Sequence, residues 1–375
     1  MTTHNDALKG LNERASLKEK LIAAHQSMRE IFPFISRIAI TIYDPETNIL
    51  KTYLHSSGED HPLDNYQAIL DDAPSLKAIL DAGLPRVINN MLTFEEGQRE
   101  HTTRIGRQGY AASYTLPIFN EGVFFGFMFF NANEKDVFTE DVLRQVDIYS
   151  HMISLMVINE LASIKTLTAA VKTTGRITHI RDPETGSHLD RMSRFSRLIA
   201  SALADKYNLD DAYIEHIFMF SPLHDIGKIG IPDNILLKPG ELNKAERSVM
   251  NTHALKGREM IEELLENFGF ENVDYMSVLR NIAEFHHEAI NGSGYPSGIK
   301  GEDIPLEARI VAVADVFDAL TSKRPYKEAW GNDEAIATLK TLVGEKLDED
   351  CVNALIDNMD KVLEIQQQFR ANVYG

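Results

Sequence analysis

The chain has 375 residues, 38 of them basic and 56 acidic, for a net charge of −18. Such a surface repels nucleic-acid polymers and anionic membranes at long range, and a small anionic ligand stays open only where local positive charge or metal ions receive it. The length points to two domains with a core each, and the single cysteine, Cys351, excludes an internal disulfide framework and an all-thiolate iron–sulfur cluster and fits a reducing compartment.

The segment after Met1 lacks a basic-then-apolar signal pattern, and no uncharged apolar run reaches transmembrane length. The expectation is a cytoplasmic protein without a membrane anchor. Residues 11–32 are expected to form a helix, because Leu17, Leu21, Ala24, Met28 and Ile31 share one stripe among charges. Arg37–Asp44 is β-branched and runs into the turn signal Asp44-Pro-Glu-Thr-Asn48. Leu50–His55 follows as a second strand, so the two predict a hairpin. A helix is expected over 75–82 and a short strand over Arg86–Asn89. A second hairpin pairs Ala111–Phe119 with Val123–Phe130 about Asn120-Glu-Gly122. The Phe-rich run 124–130 suits sheet core, with the lining of an apolar-ligand or haem pocket as the alternative. His55, His61 and His101 are scattered and mark no metal site.

That order of helix, two strands, irregular middle, two strands and long helix resembles a GAF domain, a sensory α+β module with one central antiparallel sheet. A PAS-type module is the rival reading. The ligand of such a domain is unknown, and Cys351 lies too far along the chain to tether a bilin in it. Thr139 is the expected N-cap of the next helix, and nothing breaks helix from 140 to 173, a span of about 50 Å. Val142, Val146, Tyr149, Ile153, Met156, Glu160, Ser163 and Leu167 follow a 3–4 spacing, and Ile148, Met152, Leu155, Ile158, Leu161 and Ala162 widen the apolar surface. More than one apolar stripe predicts a parallel homodimer through this helix, against packing within one chain. The expected organisation is therefore multidomain: an α+β sensory domain over 1–140, a connecting and dimerisation helix over 141–173, and an all-α helical domain over 174–375.

The chemistry lies in the last of these. Glu184, His188, His224, Asp225, His253, His286, His287 and Asp315 offer imidazole nitrogen and carboxylate oxygen without sulfur. That set suits iron, manganese or zinc and is large enough for more than one ion. Glu184 and His188 are four residues apart, on one face of a helix. His224 and Asp225 are neighbours separated by about 100° around a helix axis, so they can address two ions. Asn243 and Glu246 form a capping-box pattern, and Val249, His253, Gly257, Met260 and Leu264 then share an inward stripe in which Gly257 leaves room beside His253. Asp315 lines a helical face with Ala308, Val311 and Ala319, where a carboxylate needs a neutralising partner.

Three runs carry a resemblance: His224-Asp-Ile-Gly-Lys-Ile-Gly-Ile-Pro232, His286-His-Glu-Ala-Ile-Asn-Gly-Ser-Gly-Tyr-Pro296, and Ile304–Lys327 with Asp315 near its middle. Residues from about 170 to 370 resemble an HD-GYP domain, a branch of the HD phosphohydrolase superfamily. The resemblance implies hydrolysis of cyclic di-GMP to pGpG, with a further step to GMP left open, and two or three metal ions, iron first and manganese second. It implies that His188, His224, Asp225 and Asp315 hold one ion, and that Asp225 bridges to a second held by His253, His286 and His287. Glu184 serves a third ion or, on the plainer reading, a helix N-terminus. Two ions about 3.5–4 Å apart lower the pKa of a shared water, whose hydroxide is the expected nucleophile. Lys228 matches a family lysine that stabilises charge on phosphate, and Arg324 and Lys327 match phosphate contacts. Gly292, Gly294, Tyr295 and Pro296 form a turn in which the glycines allow a positive φ or close approach. There Tyr295 either meets substrate or buttresses the turn. The family commonly has Trp-Asp where this chain has Ile290 and Asn291, which bears on substrate fit. The alternatives are a mixed cyclic GMP-AMP substrate and a silent cyclic-dinucleotide receptor. A dNTP triphosphohydrolase would not need the Gly-Tyr-Pro turn.

Overall fold

The computed structural model describes residues 6, 8–12, 15–57, 67–91, 109–179, 186–268, 275–322 and 329–369. They fall into two compact units, Met1–Ser163 and Ile164–Gly375.

In the first unit, α1 (Leu17–Ile31) starts later than the stripe predicts. Ser16 caps it and closes a reciprocal box with Glu19, while Lys9–Asn12 is a separate 3-10 turn. Leu17, Leu21, Ala24 and Met28 are buried, but Ile31 stays 53% exposed. The strands are β1 (Ile35–Asp44), β2 (Ile49–Ser57), β3 (Gln67–Ile69), β4 (Arg86–Ile88), β5 (Ala112–Asn120) and β6 (Val123–Ala132), with α2 (Pro74–Ala82) between β3 and β4. They form one antiparallel sheet in the order β3-β2-β1-β6-β5-β4. Both expected hairpins are present, and their turns place Asn48 and Glu121 at positive φ. β3 is new. It is only three residues long, too short for an alternation to register.

The sheet has two apolar faces. Ile38, Ile40, Met128 and Phe130 are fully buried, and α1 packs across β1 and β2. Ala39, Leu50, Phe127 and Phe129 pack instead with Leu76 and Ile79 of α2. The Phe-rich run therefore serves as core from 127 to 130. The next helix, α3 (Glu140–His179), is 40 residues long and extends past the expected end at 173. Its start is tied to the sheet by Tyr114 Oη, which donates to Asp147 at 2.6 Å. Its buried face runs through Val146, Ser150, Ile153, Val157 and Leu161. That is partly rotated from the expected stripe, because the small Ser150 and Ser154 turn inward.

The second unit is helical. It contains α4 (Gly186–Tyr207), α5 (Asp211–Phe220), α6 (Asp233–Leu236), α7 (Lys244–Asn251), α8 (His253–Phe268), α9 (Met276–Phe285), α10 (Leu306–Thr321), α11 (Asn332–Leu342), α12 (Glu349–Ile356) and α13 (Met359–Gln368). α4 is central and packs against α5, α10, α12 and α13. Phe195 meets Phe317 edge-on at 5.4 Å, and Ile199, Ile217, Phe220, Ile282 and Val311 are fully buried around them. Each such side chain contributes about 1.5–3 kcal/mol by leaving water.

The continuous helix expected beyond Asn243 is split. Thr252 closes α7 by giving both its N–H and its hydroxyl to the Val249 carbonyl, at 3.1 and 2.7 Å. The inward face of α8 accordingly reads His253, Gly257, Ile261 and Leu265, while Val249 is exposed and Met260 and Leu264 are half-buried.

Candidate metal centre

Five separate segments bring the donors together. His188 lies in the first turn of α4. His224 and Asp225 form a corner between two 3-10 turns, Ser221–Leu223 and Ile226–Gly230, rather than a stretch of α-helix. His253 begins α8, His286 caps the end of α9 with His287 beside it, and Asp315 lies on α10. Glu184, Arg324 and Lys327 are outside the described residues, as are His61 and His101.

Seven of the expected ligands fall into two clusters. One holds Asp225, His253, His286 and His287; the other holds His188, His224 and Asp315. Within each, the donor atoms lie within 4.8 Å of one another. Asp225 stands between them. Its Oδ1 is 3.1 Å from His253 Nε2 and 3.7 Å from His286 Nε2. Its Oδ2 is 3.2 Å from His224 Nε2 and 2.7 Å from Lys228 Nζ. In the second cluster His188 Nε2 is 3.7 Å from Asp315 Oδ1.

Close backbone contact makes the first cluster possible. A Cβ on Gly227 would fall 1.9 Å from the His253 carbonyl oxygen and 2.4 Å from Gly257 N. The space beside Gly257 is therefore filled by the 226–230 turn, which carries Asp225 to His253. His224, His253 and His286 donate their Nδ1 protons to the carbonyls of Ser221, Met250 and Ile282, at 2.9, 2.8 and 2.9 Å. This sets the tautomer that leaves Nε2 as the donor.

The electrostatics favour ligation. Burial opposes charge on Asp225, but the positive charge of Lys228 and the interactions with His224 and His253 outweigh it and hold the carboxyl well below its usual range. Burial pushes His286 down, and burial together with His286 pushes His287 down strongly. Neutral imidazoles and an ionised carboxylate are the forms that bind cations. Nitrogen and oxygen donors, clustered and tautomer-fixed, fit divalent transition metals at both positions.

The segment after His287 borders the first cluster. The Tyr295 ring lies 4.8 Å from that of His287 and 6.1 Å from that of His253, and burial raises its pKa. Gly292 has φ +82°, and a Cβ on Gly294 would fall 2.3 Å from Ala289 N. The tight approach at Gly294 is thus to the turn's own backbone. Asn291 Oδ1 accepts from Ser293 N at 2.9 Å, a bond that an aspartate there would also make, so the departure from the family pattern leaves this bond intact.

Two residues escaped the sequence reading. Glu288 is buried and its Oε1 accepts from Ser297 N and Gly298 N, at 2.7 and 3.0 Å, closing the turn. Asp318, wholly buried, accepts from His188 Nδ1 at 2.7 Å. A second carboxylate three residues after Asp315 on an apolar helix was the available signal, since burying it demands a partner.

The family model for the HD domain matches residues 182–351. The cyclic di-GMP phosphodiesterase response regulator RpfG of Xanthomonas campestris is 46% identical over 194 residues, which cover 52% of this chain and 48% of that protein. The 3'3'-cGAMP-specific phosphodiesterase 2 of Vibrio cholerae is 38% identical over 186 residues, 50% of this chain and 34% of that one. The chain thus spans about half the length of the first relative and a third of the second. A solved GAF domain from an Acinetobacter phosphoenolpyruvate-protein phosphotransferase is similar at 11% identity, over 42% of this chain and 90% of that one, with a TM-score of 0.33. The three motif runs and both donor clusters fall within residues 182–351, the stretch that matches the HD domain model.

Proposed function

We propose that this chain is a metal-dependent phosphodiesterase that hydrolyses cyclic di-GMP to pGpG. The observation that carries the proposal is Asp225, whose two oxygens face different donor clusters, as a carboxylate bridging two ions requires. HD domains bind divalent metals, and the two clusters suit them. The resemblance to the HD-GYP family makes iron the proposed metal, with manganese second, both compatible with nitrogen and oxygen donors, and Glu184 is the proposed ligand for a third ion. Bound ions would supply Lewis acidity at phosphorus and activate water at neutral pH.

The chain's own residues bind and orient the diester. Lys228, at the partly open edge of the pair with Asp225, offers a positive charge to a phosphate oxygen. Arg324 and Lys327 are the proposed contacts for the second phosphate, and Tyr295, lying along the His287 ring, is the proposed stacking surface for guanine. A silent receptor is disfavoured because the seven described donors are all in place. The substrate named for the 38%-identical Vibrio relative keeps 3'3'-cGAMP as the second reading. Residues 1–140 are the proposed sensory part, and α3 the dimer contact that passes their state onward.

The test is turnover. Anaerobically purified protein, loaded with Fe2+ or Mn2+, is incubated with each dinucleotide and the products are separated. pGpG from cyclic di-GMP is expected. Faster cleavage of 3'3'-cGAMP transfers the assignment to the second reading, and no cleavage by fully loaded protein overturns both.

A further inference from the structure

The five described histidines of the centre are not equivalent. Where His224, His253 and His286 donate Nδ1–H to peptide carbonyls, His188 donates it to the carboxylate of Asp318 at 2.7 Å. That carboxylate has no exposure to solvent. It is held from the other side by Arg191, whose Nε reaches Oδ1 at 2.6 Å and whose Nη2 reaches Oδ2 at 2.9 Å. Ser322 Oγ adds a hydrogen bond to Oδ2 at 3.0 Å and accepts one from Arg191 Nη2 at 2.6 Å. Arg191 Nη1 is fixed in turn by the Phe369 carbonyl at 2.9 Å.

A carboxylate on the far nitrogen does two things that a carbonyl does less well. It fixes the ring's orientation through a charge-assisted bond, and it raises the electron density at Nε2. The bidentate clamp from Arg191 leaves the carboxylate little freedom to turn. No such charged support reaches the cluster of Asp225, His253, His286 and His287 among the described hydrogen bonds of its rings.

We propose that Asp318, clamped by Arg191 and Ser322, is a positioning residue for His188. It makes the His188–His224–Asp315 cluster the tighter of the two metal positions, so that this position fills first. The inference rests on the metal-dependent reading above and specifies which half of that site its supporting residues govern.

The experiment is Mn2+ binding to the full chain, by equilibrium dialysis with manganese spectroscopy. Asp318→Asn should weaken one equivalent about 10- to 100-fold and leave the others at their wild-type affinity. Ser322→Ala, a milder change, should weaken the same equivalent less. In a His188→Ala background, Asp318→Asn should cause no further loss, because its target is gone; a purely structural role would still show its effect there. Equal weakening of all equivalents, or unchanged binding in both variants of a protein that otherwise loads fully, overturns this inference alone. So does an Asp318→Asn chain that fails to fold beside a Ser322→Ala chain with unaltered Mn2+ affinity. A wild-type chain that takes up no Mn2+ overturns this inference and the proposed function together.

Discussion

Asp225 concentrates the chemistry of the centre in one side chain, since one oxygen is turned to its neighbour His224 and the other to His253 of α8. Asp225→Ala is expected to abolish turnover and to remove more than one metal equivalent per chain, measured by elemental analysis. Loss of a single equivalent would assign the bridge elsewhere. His216 shows a different consequence of burial. It is fully enclosed, gives Nδ1–H to the Ala212 carbonyl at 2.6 Å, and lies between the Phe220 and Tyr275 rings. Burial takes its pKa from 6.5 down to about 4. Between those values the unfolded chain binds more protons than the folded one, so stability is full above pH 6.5 and falls as pH drops toward 4. The loss between pH 7.5 and 4.5 amounts to about 2–3 kcal/mol. His216→Phe in metal-free protein should remove that share of the acid sensitivity, read as the change in urea midpoint between the two pH values. An unaltered difference from wild type would show that His216 does not carry it. The donors themselves were legible because their residue types and motif spacing are local. Asp318 was not, because its partner His188 is 130 positions away.

Among the elements, α3 departs most from ordinary packing within a unit. Ile148 and Leu155 are 70% and 67% exposed and stand seven residues apart, two turns along one face. That seam is separate from the buried face through Val146, Ile153 and Val157, and a heptad spacing of this kind is what a parallel helix pair uses. Ile148→Glu combined with Leu155→Glu should convert a dimer to a monomer in sedimentation at tens of micromolar, with metal content unchanged. A wild-type chain that sediments as a monomer at that concentration removes the basis for the contact. Local signals set most element boundaries. The capping box of Asn243 and Glu246 is present at 2.9 and 2.8 Å, and both hairpin turns fall where the polar residues stand. The break at Thr252 was not legible, because the threonine's choice of the Val249 carbonyl over helical continuation depends on where α8 must pack.

At the scale of the molecule, the division into Met1–Ser163 and Ile164–Gly375 gives two cores, and all the described metal donors lie in the second. A ligand that binds only one folded unit stabilises only that unit. Two unfolding transitions are therefore expected in calorimetry, and Mn2+ should raise one of them alone, by about 2.7 kcal/mol at a free concentration near 100 times Kd. A single transition, or an equal rise in both, would mean that the units unfold as one. The described residues contain no helix long and apolar enough to cross a membrane.

What the amino-acid sequence determined by itself was whatever depends on neighbours in the chain. That includes the apolar stripe of α1, the hairpins of β1–β2 and β5–β6, the absence of a break in α3 from 140 to 173, and the motif runs that supply the metal donors. Periodicity, capping and turn chemistry act over a few residues, so they can be read in order along the chain. The tertiary structure alone decided which oxygen of Asp225 meets which cluster, that Gly227 approaches α8 so closely at His253 and Gly257 that a Cβ there would collide, and that Asp318, held by Arg191, bonds His188. Those contacts join segments distant in sequence, and they are fixed by how α4, α8 and α10 pack rather than by any pattern within one of them.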